Sequence, residues 1–459
     1  MTLKAYLETL RGKSVAVIGI GISNVPLIRL LRAADISVTA CDKKDRAALG
    51  EIAQELESIG CQLRLGEDYL NGLCEDVIFR TPGLHPRFLE DARKRGSVIT
   101  SEMEVFFEVC PCPIIAVTGS DGKTTTTTMI AQLLRASGKT VHLGGNIGRP
   151  LLADTEQIRE DHFAVVELSS FQLMTMKKSP YRAVLTNLSP NHLDVHTDMN
   201  EYVEAKKAIF AYQNNDGLLV TNLDNEIARN LSDQAIGKVE YFTRKSPENI
   251  NNGCYWKDEA IWYRAEDSER CVLKREDILL PGVHNIENYM AAICAVQGLV
   301  DDEAICAFAR EFGGVEHRIE LVRERHGVRW YNDSIASSPS RTIAGLNSFN
   351  QRVILIAGGK DKGISYTEIG PVINEHVKLL ILCGATAGVI REATLGADNY
   401  DGLEIIEVDE YKDAVALADE RSEDGDIVIL SPASTSFDRF KNFEERGRVF
   451  KDLVRQLPE

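Results

Sequence analysis

Short apolar runs, each closed by a glycine or a polar residue, alternate with amphipathic segments along most of the chain. The first such series opens at "KSVAVIGIGISNVPLIRLLRAADISVTACD". This reads as a strand, a glycine turn, a helix with Leu27, Ile28, Leu30 and Leu31 on its apolar face, and a second strand ending at Asp42. The same grammar runs through "EDVIFRTPGL" to about residue 101. A second series begins near "PIIAVTGSDGKTT" and includes "FAVVELSSFQL", "AVLTNLSPNHLD" and "GLLVTNLDN". Between residues 240 and 283 the pattern shortens to "GCYWKDEAIWYRA" and "ERCVLKREDILLPG", which predicts a small antiparallel sheet inserted before the helix "NIENYMAAICAVQGL". A third series, from "GGVEHRIELV", contains the buried-strand patterns "QRVILIAGG", "VKLLILCGA" and "DIVILSPAS". The pattern predicts an α/β protein of three domains, over residues 1–101, 102–314 and 315–459, with loops at the carboxyl ends of their strands facing one another.

Composition narrows the partners. The 459 residues carry 52 basic and 69 acidic side chains, a net charge of −17, and no local basic patch, so a nucleic-acid partner is not expected. Apolar runs fall short of a membrane span, and the N-terminal segment lacks a cleavable apolar core, so neither a membrane partner nor a secretory signal is expected. Ten cysteines include no C-x-x-C, and most lie in apolar runs where cysteine acts as a small hydrophobe. Free thiols in that number fit a reducing interior, and the cytoplasm is the expected compartment.

The sharpest chemistry lies in "AVTGSDGKTTTTTMIAQLLRASG". A strand, a glycine loop, Lys123, and a helix carrying Met129, Ile130, Leu133 and Leu134 on one face stand in the order of a phosphate loop. The spacing departs from G-x-x-x-x-G-K-[ST], because Val117 stands where the first glycine belongs. Lys123 suits the β and γ phosphates and the Thr124 hydroxyl suits Mg²⁺, while the threonines that follow have hydroxyls able to bond open amides at a helix start. The earlier "VIGIGISNVP" is a weaker signal, since Asn24 replaces the last glycine of G-x-G-x-x-G. With Asp42 placed for a ribose hydroxyl, it fits equally a nicotinamide or flavin cofactor, another nucleotide, or a tight turn.

Further polar groups close the remaining strands. Glu167 ends "FAVVE", with Ser169, Ser170 and Gln172 after it, and His192 and Asp194 follow "AVLTNL". Carboxylate, imidazole and hydroxyl all suit a Mg²⁺–nucleotide site, and all are also ordinary strand-end residues facing solvent. Lys206 sits on the predicted helix "EYVEAKKAIF", where lysine normally marks a solvated face. Asn285 and Asn288, three apart in "HNIEN", can bond a purine edge or cap their helix. Arg318 in "EHRIE" suits a phosphate or a surface ion pair. Asp333, Ser337, Ser431 and Phe437 fall on strand-end loops of the third series.

Taken together, "GSDGKTT", "ELSSFQL", "NHLD", "EAKKAIF", "PGVHNIENYMAA", "EHRIE" and "NDSIAS" resemble the Mur ligase family across the whole chain. That family uses a short G-x-x-G-K-[ST] phosphate loop without the early glycine. The C-terminal "SPASTSFDRFKNFEERGRVF" looks like its D-glutamate-adding branch. The resemblance implies a Rossmann-like N-terminal domain, a central P-loop-type ATPase domain and a Rossmann-like C-terminal domain. It implies ATP-driven amide formation through an acyl phosphate, in peptidoglycan precursor synthesis. The implied partners are small molecules, namely UDP-N-acetylmuramoyl-L-alanine, ATP and D-glutamate, acted on by a monomer with two Mg²⁺ ions. Catalytic roles fall on Lys123, His192 and Lys206, the last matching the family's carbamylated lysine. ATP contacts fall on Gly119, Ser120, Asp121, Gly122, Lys123, Thr124 and Thr125, with Asn285, Asn288, Arg318 and Asp333. The UDP-substrate site takes Gly21, Ile22, Ser23, Asp42, Thr81, Pro82 and Gly83, joined by Asn146, Ser169, Gln172 and His192. D-Glutamate contacts fall on Ser337, Lys362, Ser431 and Phe437, and metal ligation on Thr124, Glu167, His192 and Lys206.

Two departures stand out: Ile335 where many relatives carry lysine, and Asp121 where asparagine is common. Three other readings compete. A Rossmann dehydrogenase leaves the Lys123 loop unexplained, and a P-loop kinase or regulatory NTPase fits poorly with Val117 and the distant "HNIEN". A sister ligase would add L-alanine, a diamino acid, a dipeptide or a folate glutamate instead.

Overall fold

The computed structural model describes all residues except 190–195, 246, 266–267, 362 and 459, and the side chain of Pro247. Three sheets follow one another along the chain. The first has five parallel strands in the order Gln62–Leu65, Ser37–Asp42, Ser14–Ile18, Val77–Phe79, Val98–Thr100. This is a doubly wound order whose switch point lies between Ser14–Ile18 and Val77–Phe79, so the loops after Ile18 and Phe79 flank the crevice where such folds bind ligands.

The second sheet has nine strands. Its parallel part runs Lys238–Thr243, Leu218–Asn222, Arg182–Leu185, Ile114–Thr118, Phe163–Glu167, Val141–Gly145. The antiparallel strands expected between residues 240 and 283 are present as Asn252–Lys257, Ala260–Ala265 and Ser268–Lys274. They do not form a separate inserted sheet. Asn252–Lys257 pairs in parallel with Lys238–Thr243, so the three strands prolong the central sheet at one edge.

The third sheet has six strands in the order Glu320–Arg325, Val328–Asn332, Ile427–Leu430, Val353–Ala357, Val377–Leu382, Glu404–Glu407, parallel except for its first pair. Period-two alternation separates its two cores. Leu355 and Ile429 pack on one face with Ile369 and Ile373, and Ile354, Ile356 and Val428 pack on the other with Val415 and Phe450. Burying each such side chain contributes about 1.5–3 kcal/mol.

Packing divides the chain into two compact units. One comprises Met1–Asp277 with Ile286–Phe308, and the other Ile278–Asn285 with Ala309–Glu459. Within the first unit the first two sheets share one core, in which Val15 and Val17 belong to the same cluster as Phe106, Ala116 and Val166. All ten cysteines are free thiols. Among the described residues no helix is long and apolar enough to cross a membrane.

Candidate active site

The phosphate loop follows Ile114–Thr118, which lies inside the nine-stranded sheet between Arg182–Leu185 and Phe163–Glu167. Val117, fully buried, is a strand residue paired between Val184 and Glu167, so the chain does not turn there and no glycine is needed. The turn begins at Gly119, with φ +150°, and ends at Gly122, with φ +76°, just before the helix Lys123–Ala136. A Cβ at Gly119 would run into Thr186 Oγ1, and one at Gly122 into Asn288 Oδ1. The neighbouring strand end pins the loop: Asn187 O accepts from Ser120 N at 2.9 Å, Asn187 Oδ1 accepts from Asp121 N at 3.0 Å, and Thr186 Oγ1 donates to Asp121 O at 2.6 Å. Lys123 Nζ folds back to donate to Ser120 O at 2.8 Å.

The threonine run does not cap open amides as its hydroxyls suggested. Thr124 Oγ1 donates to Glu167 Oε2 at 2.7 Å, Thr126 Oγ1 lies 3.3 Å from Asn288 Oδ1, and Thr127 Oγ1 bonds back to Lys123 O at 2.7 Å. Thr125 is buried at the start of the same helix.

Glu167 is 1% exposed and held on both oxygens, by Thr124 and by Asn146 Nδ2 at 2.7 Å. Asn146, matched to the UDP site by resemblance, thus sits beside the expected metal carboxylate. Lys206 is 2% exposed, so its predicted solvated-face reading does not hold. Its Nζ donates to Thr118 Oγ1 at 3.1 Å and lies 5.0 Å from the Tyr202 ring centroid. Burial, and then the positive charge of Lys123, push the Lys206 pKa well below the usual lysine value, while Glu167 and Asp121 pull it up. Tyr202, four residues earlier on the same helix, also bonds Ser120 Oγ at 2.8 Å. No motif marks this tyrosine, although its i, i+4 spacing to Lys206 puts the two on one helix face.

These residues suit Mg²⁺ beside a nucleotide. Among the described residues no three His, Cys, Asp or Glu side chains gather to make a protein-only metal cage. One buried carboxylate and one hydroxyl next to a phosphate loop fit a site that water and phosphate oxygens would complete. His192, expected at this site, lies outside the described residues.

Around the first sheet, Gly21, Ile22, Ser23, Thr81, Pro82 and Gly83 lie on the two loops that flank the switch point, and Asp42 ends the adjacent strand. Asp42 does not hold its carboxylate free: Oδ2 accepts from Ile20 N at 2.6 Å and Oδ1 from Lys44 N at 2.8 Å, which closes the glycine turn. Gly21 follows that turn, Ile22 is 85% exposed, and Ser23 precedes the helix Asn24–Ala33. Thr81 and Pro82 are half-buried and Gly83 exposed. Ser169 and Gln172 form a reciprocal capping box at the start of Ser170–Leu173, with Ser169 N donating to Gln172 Oε1 at 2.9 Å.

In the second unit, Asp333 follows Val328–Asn332 and Ser431 follows the adjacent strand Ile427–Leu430. Ser431 Oγ, fully buried, lies 2.8 Å from Asp333 Oδ2 and 3.0 Å from Thr342 Oγ1, and Ile319 N donates to Asp333 Oδ1 at 3.3 Å. Burial raises the Asp333 pKa to about 7, against the lowering pull of Ser431 and Arg318. Ser337 is half-buried, Phe437 is 62% exposed, and Lys362 lies outside the described residues. The two asparagines of "HNIEN" part company: Asn288 meets the phosphate loop, while Asn285 Nδ2 donates to Pro281 O at 2.6 Å. Arg446, which no sequence motif marks, is fully buried and donates to Ser334 O at 2.9 Å and Ser434 O at 3.1 Å. It thereby joins "NDS" to "SPAS". A charged residue on a helix carries no sequence signal for such a role.

A short glycine loop that ends on lysine and threonine, set on the middle of three α/β sheets with a buried carboxylate facing its hydroxyl, defines a nucleotide-dependent ligase of the Mur type. The profile "Mur ligase middle domain" matches residues 117–296, and "Mur ligase, glutamate ligase domain" matches residues 317–434. The chain belongs to the Mur ligase family. It is 50% identical over 462 residues to the UDP-N-acetylmuramoylalanine--D-glutamate ligase of Ruminiclostridium cellulolyticum, covering 99% of both chains. It is likewise 50% identical over 463 residues to the ligase of that name from Acetivibrio thermocellus, again over 99% of each. Among solved structures, the UDP-N-acetylmuramate-alanine ligase of Thermotoga maritima shares the fold, with a TM-score of 0.58 and 17% identity, covering 97% of this chain and 100% of that one.

Proposed function

We propose that this chain joins D-glutamate to UDP-N-acetylmuramoyl-L-alanine at the expense of ATP, in the synthesis of peptidoglycan precursors. Half-identity along the full length of two ligases of that name is the observation that carries the substrate. The Thr124–Glu167 pair beside the Gly119–Gly122 turn supports the ATP step.

The alanyl carboxylate attacks the γ-phosphorus, giving an acyl phosphate and ADP. The amine of D-glutamate then attacks the acyl carbon, loses a proton, and phosphate leaves. Phosphorylation is required because a carboxylate oxygen is a poor leaving group, and the transfer itself needs positioning and charge neutralisation more than covalent help. Gly119 to Thr125 wrap the β and γ phosphates, with Lys123 turning from Ser120 O to meet them. Mg²⁺, held by Thr124, Glu167, His192 and a carbamylated Lys206, would neutralise phosphate oxygens.

A carbamate on Lys206 accounts for a lysine at this position, since it exchanges an ammonium that burial opposes for a carboxylate. Its check is a carbamate resonance in protein equilibrated with ¹³C-bicarbonate, present in the wild type and absent in Lys206→Gln. Residues 1–101 hold the UDP moiety through the loops at Gly21 and Thr81, residues 102–314 hold ATP, and residues 315–459 hold the amino acid. Asn285, Arg318 and Asp333 serve the nucleoside of ATP, and Ser337, Lys362, Ser431 and Phe437 serve D-glutamate.

The deciding experiment follows phosphate release from ATP with UDP-N-acetylmuramoyl-L-alanine present, adding D-glutamate, L-glutamate, L-alanine or a diamino acid singly. Release that requires D-glutamate, with the amide product formed, is the expected result. Release with another amino acid would move the chain to a sister activity, and release without any would return it to the NTPase reading.

A further inference from the structure

We propose that Arg341 determines amino-acid specificity, supplying a guanidinium that binds a carboxylate of the incoming dicarboxylic amino acid. The inference rests on the D-glutamate reading above and assigns that substrate's charge to a residue which neither the sequence motifs nor the relatives' names single out.

Arg341 lies in the first turn of the helix Pro339–Leu346. Its Nη1 donates to Ile335 O at 3.2 Å, and the same oxygen accepts from Ser337 N at 2.7 Å. The guanidinium is therefore tied to the 335–337 turn, which carries Ser337. Ile335 is apolar and brings no charge to that turn. The helix start is fixed from below, where the next residue, Thr342, is buried and accepts from Ala433 N at 3.0 Å and lies 3.0 Å from Ser431 Oγ.

The surrounding charges leave Arg341 available to an anion. Among the described residues, Arg318 and Asp333 are the charged groups that act on it, and Arg318 is of like sign. Asp333 is a poor counterion for two guanidiniums. It is 4% exposed and already accepts from Ser431 and Ile319. Burial also favours its neutral form. Arg341, by contrast, is exposed by area, although enough protein surrounds it for burial to be the largest cause lowering its pKa. Of its five N–H donors the described bond to Ile335 uses one, so a planar fork remains for a carboxylate. Two guanidiniums against one shielded carboxyl, at the carboxyl end of Val328–Asn332, make a site with surplus positive charge where this fold class binds its ligands.

The alternative role is purely structural, with Arg341 steadying the turn through the Ile335 carbonyl. A pair of substitutions separates the two. Wild-type enzyme is first shown to release phosphate in a D-glutamate-dependent way; without that, it is the ligase reading that fails. Given it, Arg341→Met is expected to raise KM for D-glutamate about 10- to 100-fold, leaving KM for ATP and for the UDP substrate unchanged. Adding Ile335→Lys to Arg341→Met is expected to recover much of that loss. A lysine at 335 restores a positive charge but cannot remake a hydrogen bond to its own carbonyl. Arg341→Lys, which keeps the charge without the fork, should fall between. An unchanged KM for D-glutamate, an equal rise in all three KM values, or a loss that Ile335→Lys leaves untouched would each overturn the proposal.

Discussion

Asp333 carries chemistry that its sequence appearance does not suggest. In "YNDSIAS" it reads as one more strand-end acid, yet it is 4% exposed and burial lifts its pKa to about 7 from the usual 3.8. The consequence for stability has a definite sign. Between about pH 4 and pH 7 the native state keeps a proton that the unfolded chain has already lost, so stability falls as pH rises through that window and is flat above it. Asp333→Asn preserves size, can keep its amide oxygen as the acceptor for Ile319 N while its NH2 donates to Ser431 Oγ, and removes the ionisation. The variant should therefore gain stability over wild type by about 1–4 kcal/mol at about pH 8 and by much less at about pH 4. Urea midpoints at the two pH values measure this. A gain of equal size at both would mean that Asp333 is ionised throughout, with Arg318 outweighing burial.

Between strand and helix, the phosphate loop is held as much by its neighbours as by its own composition. Gly122 ends the loop in a left-handed conformation, directly against Asn288 on the helix Val283–Val296. Gly122→Ala adds both backbone strain and a clash with that amide, and either the loop or Asn288 must shift. The expected result is a loss of about 1–3 kcal/mol in stability and at least about a 10-fold weaker ATP affinity, read by denaturation and by calorimetric titration with ATP. Unchanged ATP affinity would remove the loop from the phosphate site. This loop was legible in the sequence because its glycines are dictated by local backbone geometry and its lysine and threonine by phosphate chemistry. The antiparallel strands after residue 252 were legible only in part. Their alternation was plain, but alternation does not say which edge a strand joins, and it was the pairing of Asn252–Lys257 with Lys238–Thr243 that merged them into the central sheet. Lys206 and Arg446 were illegible as buried groups for a related reason. Helical periodicity marks where apolar residues go, and a charged side chain turned inward breaks the pattern without announcing its partner.

At the scale of the whole molecule, the first two sheets are joined by more than their shared core. Arg80, 1% exposed, follows the strand Val77–Phe79. Its Nη1 donates to Leu84 O at 2.8 Å and Pro82 O at 3.1 Å, and its Nη2 to Phe171 O at 2.8 Å and Thr175 Oγ1 at 3.1 Å. One guanidinium thus binds the Thr81–Pro82–Gly83 loop of the first sheet to the segment that follows Glu167 in the second. Burial opposes its charge, but a fork of donors among carbonyls offsets much of that cost. Arg80 spans from the loop proposed for the UDP moiety to the segment after the strand end proposed for the metal, which predicts a positioning role in addition to a structural one. Arg80→Met should cost on the order of 3 kcal/mol, because three carbonyls, one buried and two partly so, lose their donor together. It should also raise KM for the UDP substrate several-fold more than KM for ATP, since the phosphate loop is anchored independently through Thr186 and Asn187. Arg80→Lys, which can reach one side of the junction but not fork across it, should recover stability better than it recovers KM. If both KM values stay at the wild-type level while stability falls, Arg80 is a structural tie alone, and the two sheets do not depend on it for the register of their loops.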